Sequence, residues 1–328
     1  MAHLIDMSKG RANMAYVGAT PWHGLGQSKP EGAFWTLEQW AKESGTDFEV
    51  MKVPASFINP VTNEFMQLGV SALIRTDTGA VLDNRVSDDW QELQNSEAWD
   101  FFSQYCEAGN MTIETAGSLN DGRDVWVLAR IQGEANIGTR SKDTILPYLL
   151  FRNPHKYGAC IETRFTAIRV VCNNTLTAAL RDKAAQGDSV RVRHNTKFNA
   201  EAVKQTMGIA LHKLDAFKEA GDFLASKKYT QDGVQKLLSE IFPLTTKKEE
   251  KKGNLSRNAL EAFNLLETSP GADLSPGSFW NAFNAVTYMT DHTLGHSDNS
   301  RLNSAWFGPN ASLKSHALEL CLEAAKVA

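Results

Sequence analysis

Asp124-Val125-Trp126-Val127-Leu128-Ala129-Arg130-Ile131 decides how this chain folds. From Val125 to Ala129 it is apolar at odd and even positions alike. Successive side chains of a strand point to opposite faces, so a strand apolar on both must be covered on both. The run reads as an interior strand, and an interior strand needs a sheet around it.

Working outward, Ile161 to Cys172 continues the β signal and ends in Asn173-Asn174, a turn or helix-capping pair. Thr175 to Ala185 is then expected as a short helix that stops near Gly187. On the other side, Phe48 to Arg75 offers short β-branched and aromatic runs broken by Pro54, Asn59-Pro60 and Gly69, which fits strands with tight turns. Trp90 to Gly109 spaces Leu93, Trp99, Phe102 and Cys106 as a helix does. Residues 1–47 are irregular and aromatic, with Thr36 placed to cap a short helix through Trp40.

Beyond Phe198 the period becomes helical. Asn199 is the expected N-cap of a helix whose stripe is Val203, Met207, Ala210, Leu211, Leu214 and Phe217. A second helix follows Thr230, carries Val234, Leu237, Leu238 and Ile241, and must end before Pro243. Lys247 to Lys252 mixes both charges and reads as a solvated linker or helix end. Three more helices are expected: Leu255 to Glu267, Phe279 to Thr293 and Leu313 to Lys326. The fold class is therefore α+β, a strand-rich core with a basic sheet face followed by a helical C-terminal region. The segments are 1–47, 48–198 and 199–328.

At 328 residues, 42% of them apolar, the chain can fill one large core or two smaller ones. No apolar run reaches the about 18 residues of a membrane span, and the N-terminus has no signal-peptide pattern. Cys106, Cys160, Cys172 and Cys321 form no C-x-x-C pair, so buried, reduced thiols are expected. Together these point to a cytoplasmic protein that does not meet a membrane.

Charge is distributed against this background. The chain has a formal net charge of -4, yet Arg140 to Phe198 holds eleven cations against four carboxylates, a local +7. Such an excess is what a polyanion site requires. Ser189-Val190-Arg191-Val192-Arg193-His194 alternates strictly, so in a strand Arg191 and Arg193 share one face. With Lys197 they are the leading candidates for phosphate contacts. Arg164 and Arg169 have opposite parity on their strand and cannot both face DNA, while Arg152 and Lys156 are weaker candidates on a loop. Tyr157, Phe165 and Phe198 lie among the cations as candidate base-stacking platforms. No helix-turn-helix, zinc-finger or RNA-recognition signature appears, so binding is expected to be led by the backbone.

Two histidine motifs compete with bland readings. His292 and His296 are four apart beside Asp291 and Asp298, but Gly295 intervenes and no Glu follows the first His. Histidines near a helix C-terminus interact with its dipole without a metal, and that reading is preferred. Thr20-Pro21-Trp22-His23-Gly24-Leu25-Gly26 is preferred as a rigid turn, because His23 has no visible partner. No nucleophile elbow, zincin or kinase motif occurs, so no catalytic residue, cofactor or metal is expected, and an enzyme built around His23 or the His292/His296 pair is the weaker alternative.

Several of these motifs also carry a resemblance. They are Thr20 to Gly26, Tyr148-Leu149-Leu150 with Asn153 and His155, Phe165 to Leu176, Asn284-Ala285-Val286-Thr287-Tyr288 with Asp291-His292, and Ser304-Ala305-Trp306-Phe307-Gly308. In order along nearly the whole chain, they resemble the phage/plasmid-like proteins of the domain of unknown function nine-three-two. One departure is Asn153 to Gly158, where the resemblance implies a Ser-His-Asp-Gly-like turn. The resemblance implies an origin in a phage, prophage or plasmid and supplies no activity. More remotely, a basic strand-rich core followed by helices is similar to the single-strand annealing proteins of the Rad fifty-two type.

The resulting expectation is a DNA-binding accessory protein of a mobile genetic element, acting on single strands in recombination or annealing and forming a homo-oligomer. The alternative is an anti-defence or anti-restriction factor that engages a host protein through its acidic helical part.

Overall fold

The computed structural model describes residues 6–18, 26–30, 35–87, 93–138, 143–159, 161–169, 174–176, 189–192, 200–244, 255–295 and 298–328. The interior strand is β7, Asp124–Arg130, at the middle of a nine-stranded sheet. Its neighbours are β6 (Thr112–Leu119) and β9 (Asp143–Pro154), both antiparallel to it. Beyond β9 comes β10 (Ile161–Arg169), and beyond β6 come β1 (Met14–Val17) and β2 (Gln27–Lys29), which pair in parallel. The short β8 (Ala135–Ile137) pairs with the start of β9. Two further strands, β11 (Asn174–Leu176) and β12 (Ser189–Val192), both pair with β10. Strands β3 (Val50–Ile58), β4 (Phe65–Arg75) and β5 (Val81–Val86) form a separate antiparallel sheet.

Both faces of β7 are covered, as its sequence requires. Val127 and Ala129 enter the main core, while Trp126 and Leu128 enter a second cluster on the opposite face. Val125 packs instead with Phe48, Leu73 and Leu82, joining the small sheet to the end of the large one. The main core draws on Ala15, Trp40, Phe102, Phe151, Phe217, Trp280 and Leu318, so the three segments of the sequence share one interior.

Helix α1 (Leu37–Glu43) is capped by Thr36, whose hydroxyl accepts from Gln39 N while the Gln39 side chain returns to the Thr36 amide. Helix α2 (Asn95–Ala108) buries Trp99, Phe102 and Cys106 and ends at Gly109. The long α3 (Ala200–Ser226) leads to α4 (Gln231–Ile241), which Thr230 caps and Phe242-Pro243 end. Next come α5 (Arg257–Thr268) and α6 (Phe279–Tyr288), and a π-helical turn, Met289–Thr293, extends α6. Two last helices, α7 (Asp298–Phe307) and α8 (Pro309–Lys326), complete the described C-terminal part.

Several expectations need correction. Asn174–Leu176 is a strand rather than a cap and helix start, with β-branched Thr175 opposite Ile168 on β10. The irregular N-terminal segment supplies β1 and β2. Helix α7 was not anticipated, and α8 starts at Pro309 rather than Leu313. Asn199, Cys160, Cys172, residues 177–188 and the mixed-charge run 247–252 lie outside the described residues. Cys106 and Cys321 are buried, which pushes both thiols up to about 12.

Helix α3 is held against the sheet at one close approach. A Cβ on Gly221 would stand 2.7 Å from the Cδ1 of buried Ile137, and Asp222 Oδ1 accepts from Gly138 N at 2.9 Å. At the opposite end of the sheet, Arg75 is fully buried between Asp6 and Asp77 under the Phe48 ring. Its guanidinium also donates to Asp121 O, so one side chain ties the N-terminal segment, both sheets and the β6–β7 turn together. Burial alone would raise the Asp6 carboxyl, but hydrogen bonds from Ser8 and the Arg75 charge outweigh it and hold it below its ordinary 3.8.

Two outcomes follow. Gly221→Ala should lose on the order of 1 kcal/mol in urea unfolding, because overpacking costs about 1–3 kcal/mol against a helix-propensity gain of about 1. Asp6→Asn should lose about 3 kcal/mol at neutral pH, the cost of breaking a buried pair. The wild-type contribution of Asp6 is present above 3.8 and fades as pH falls through the lowered folded value, so the variant's acid titration of stability should be flatter.

Candidate nucleic-acid interface

The even-numbered positions of β7, β9 and β10 form one face of the large sheet. The register β7–β9–β10 sets Trp126 beside Arg152 and Arg152 beside Glu162, then Leu128 beside Leu150 and Leu150 beside Arg164. Three arginines therefore stand on this face, Arg130, Arg152 and Arg164. Two carboxylates, Asp124 and Glu162, meet Arg152 and Arg164, and the Tyr148 ring meets Arg130.

Arg152 Nε donates to Asp124 Oδ1 at 2.8 Å and its Nη2 pairs with the same oxygen, while Nη1 lies 3.8 Å from Glu162. Arg164 Nη2 donates to Glu162 Oε1 at 2.6 Å. Arg130 lies over the Tyr148 ring, and the Tyr148 hydroxyl donates to Glu114 at 2.6 Å. Burial, reinforced by the Glu114 charge, raises the Tyr148 phenol, so it stays protonated as a donor. Glu114 itself occupies a bulge in the β6–β7 ladder, which turns it toward this face.

The same arginines seat α7. Arg164 Nη1 donates to Trp306 O at 3.2 Å, and the Arg152 guanidinium lies 4.5 Å over the Phe307 ring. Trp306 meets Trp126 edge to face at 4.7 Å. Arg152 and Arg164 were candidate DNA contacts by sequence. Their charges are met within the fold, and their nearest visible work is docking a helix. Phe165, a candidate stacking platform, is buried in the main core.

Of the other candidate cations, Arg169 and Arg191 lie at the outer side of the sheet, on β10 and β12. Along β10, Ile161 to Arg164 pair with β12 and Ala167 to Arg169 pair with β11, so both short strands lie on its outer side. Arg191 stands opposite Glu162, and Arg169 stands opposite Ile145 and Asn174. The β9–β10 ladder is regular from Glu162 to Arg169, so Arg164 and Arg169 keep the opposite parity read from the sequence. Ile161, the first residue of β10, pairs with Val192, the last of β12. The turn from β9 into β10 therefore reaches the corner where β12 ends. Lys156 and Tyr157 are exposed on that turn, with Tyr157 N donating to Asp83. Arg193 and Lys197 follow β12 in sequence and lie outside the described residues.

Behind this turn, Asn153 and His155 are buried. His155 Nε2 lies 2.9 Å from Asn95 Oδ1, and Asn95 Nδ2 donates to Phe48 O, so the departure from the family-like turn is part of the packing between α2 and the sheets.

The histidine motifs acquire other partners. Asp291 sits in the π-helical turn and accepts from Lys314 Nζ at 2.7 Å, both side chains being buried. Burial pushes the Lys314 ammonium down, and the Asp291 charge offsets only part of that. The His292 ring lies 4.4 Å from Tyr288. His296, and Thr20 to Leu25 with His23, lie outside the described residues. Among the described residues no three His, Cys, Asp or Glu side chains gather as a metal ion needs, and no helix is long and apolar enough to cross a membrane.

A family model described as a domain of unknown function (DUF932) matches residues 84–306. The chain belongs to the DUF932 family. The match takes in both the sheet face and the corner at β12, and it ends at Trp306, the residue that α7 sets against Trp126. No curated protein and no solved structure matches the chain.

Sequence reasoning missed Asp124 and Glu162 as partners of the arginines, and Glu114 as the partner of Tyr148. Glu162 was within reach, since it precedes Arg164 by two positions and shares its face. Asp124 needed the β7–β9 register. Arg152→Ala should therefore cost about 1–3 kcal/mol in denaturant unfolding by leaving the buried Asp124 carboxylate without its ion pair.

Proposed function

We propose that this DUF932 protein binds the backbone of nucleic acid, single strands first, at the corner formed by the β9–β10 turn and the end of β12. The observation that carries this reading is the exposure of Lys156 and Tyr157 beside the end of β12, where Arg191 stands opposite Glu162, while Arg152 and Arg164 already have partners. Arg152 and Arg164 are neutralised on the covered sheet face. Lys156 and Tyr157 are exposed at the corner that the Ile161–Val192 pair creates, and Arg191, Arg193 and Lys197 belong to the same stretch of chain. From Arg169 to Lys197 six cations face two carboxylates, a local +4 in an acidic chain.

Lysine and arginine release counterions from phosphates, and an exposed tyrosine offers a base a stacking surface that any sequence can use. Holding a strand in this way needs no catalytic residue. It suits an accessory protein of a mobile genetic element that presents single strands for annealing or recombination. The resemblance to phage/plasmid-like proteins supports that setting, and the likeness to annealing proteins of the Rad fifty-two type rests on architecture alone.

Fluorescence anisotropy of a labelled single-stranded oligonucleotide at several salt concentrations, with duplex as comparison, tests this directly. The Arg191→Ala/Arg193→Ala variant should bind more weakly, with a log K against log salt slope flatter by about 1.4, roughly 0.7 for each lost phosphate contact on a single strand. Arg152→Ala should leave that slope unchanged. A double variant that binds as tightly and as salt-sensitively as wild type removes the site. No binding by wild type at low salt removes the reading and puts a host-protein partner first.

A further inference from the structure

The small sheet carries a projection that neither core explains. β5 pairs with β4 only from Ser71 to Ile74, so the distal parts of β3 and β4 pair with each other alone. Ser56 meets Gln67, Phe57 meets Met66 and Ile58 meets Phe65 in this two-stranded ribbon. Asn59 Oδ1 accepts from Val61 N at 2.9 Å and sets the turn that closes it. Paired residues share a face, so Phe57 and Met66 lie on one side of the ribbon and Ile58 and Phe65 on the other. Val61 is 89% exposed, Phe65 73%, Ile58 64% and Leu68 56%.

An isolated two-stranded ribbon is marginal in water, and exposed apolar patches on monomers rarely exceed a few hundred Å². With Met51, Phe57 and Met66, these side chains leave about 700 Å² open, taking roughly 150–200 Å² for each fully exposed residue. A standard interface removes about 800 Å² from each partner. Counted over both faces of the ribbon and its turn, this is about what one half of a stable interface removes, so a partner would have to grip the arm on both faces.

We propose that the arm is a self-association surface, its occupant being the same arm of a second copy of this chain. Charge argues for this occupant. Between Val50 and Ile74 only Lys52 and Glu64 are charged, so the arm offers nothing to nucleic acid or to an acidic or basic partner. A lipid surface is also a poor match, because this stretch holds no Trp or Tyr and a single Lys to anchor at the headgroups. A nearly uncharged patch brought against its own copy meets no repulsion, and a twofold closes the contact without leaving a growing end. Pro54 and the irregularity between Pro54 and Ser56 blunt the outer edge of β3, so the contact is made by the side chains on the two faces of the arm rather than by addition of a strand to that edge. This surface is independent of the corner at β12.

Sedimentation velocity of the full chain across micromolar concentrations tests it. Wild type should sediment as a dimer. Ile58→Asp/Phe65→Asp should weaken self-association by about thirtyfold or more, the effect of losing a central anchor, with unchanged circular dichroism. Val61→Asp, at the exposed turn, should shift the equilibrium the same way even if the double variant folds poorly. Wild type that remains monomeric, or variants that dimerise as it does, would overturn the proposal. So would monomeric wild type that floats with phosphatidylcholine vesicles only when the arm is intact, which would assign the arm to lipid.

Discussion

The large sheet is covered on both faces, so water solvates only in part the charges that its central strands carry. Burying an unpaired ion costs several kcal/mol, which the fold avoids by giving each arginine of the even-numbered face a carboxylate or a carboxylate-bound phenol. Asp124, Arg152, Glu162 and Arg164 form a continuous chain across three strands. That chain fixes the seat of α7, because Arg164 holds the Trp306 carbonyl and Arg152 lies on Phe307. Without it, the indole contact between Trp126 and Trp306 would have no reason to form at that position.

The opposite face follows another rule. Small and hydrogen-bonded groups let helices approach closely, as Gly221 does over Ile137. The Trp280 indole donates to buried Asp143 at 2.9 Å, and Asn310 Nδ2 donates to Thr290 O in the π-helical turn. The buried Asp291–Lys314 pair locks that turn to α8. Polar groups in this half of the molecule thus fix which helix meets which, while Phe217, Trp280 and Phe283 supply the area.

How much of this was legible depended on range. The interior strand, the Thr36 cap and the helices bearing Trp99, Leu238 and Trp280 follow from periods and capping chemistry within a few residues. Helix α7 escaped because Asp298 to Ser304 has almost no apolar stripe, its packing residues being gathered at Ala305, Trp306 and Phe307. β1 has four residues and β2 three, too short for alternation to register. Thr175 followed a capping Asn pair, but β10 offered it a ladder, and pairing prevailed over the local signal. The basic face was half legible. Its cations are plain in the sequence, whereas the pairing of Arg152 with Asp124 exists only once β9 lies beside β7.

Of the net positive stretch, Arg152 and Arg164 are consumed by the fold, and the proposed nucleic-acid site lies instead at the β12 corner. The most direct test is photo-crosslinking of a single-stranded oligonucleotide to the full chain, with the attached peptides identified by mass spectrometry. The account predicts crosslinks at Lys156-Tyr157 and from Ser189 to Phe198. Crosslinks confined to Leu146 to Arg152 or Glu162 to Ile168, on the covered face, would contradict it.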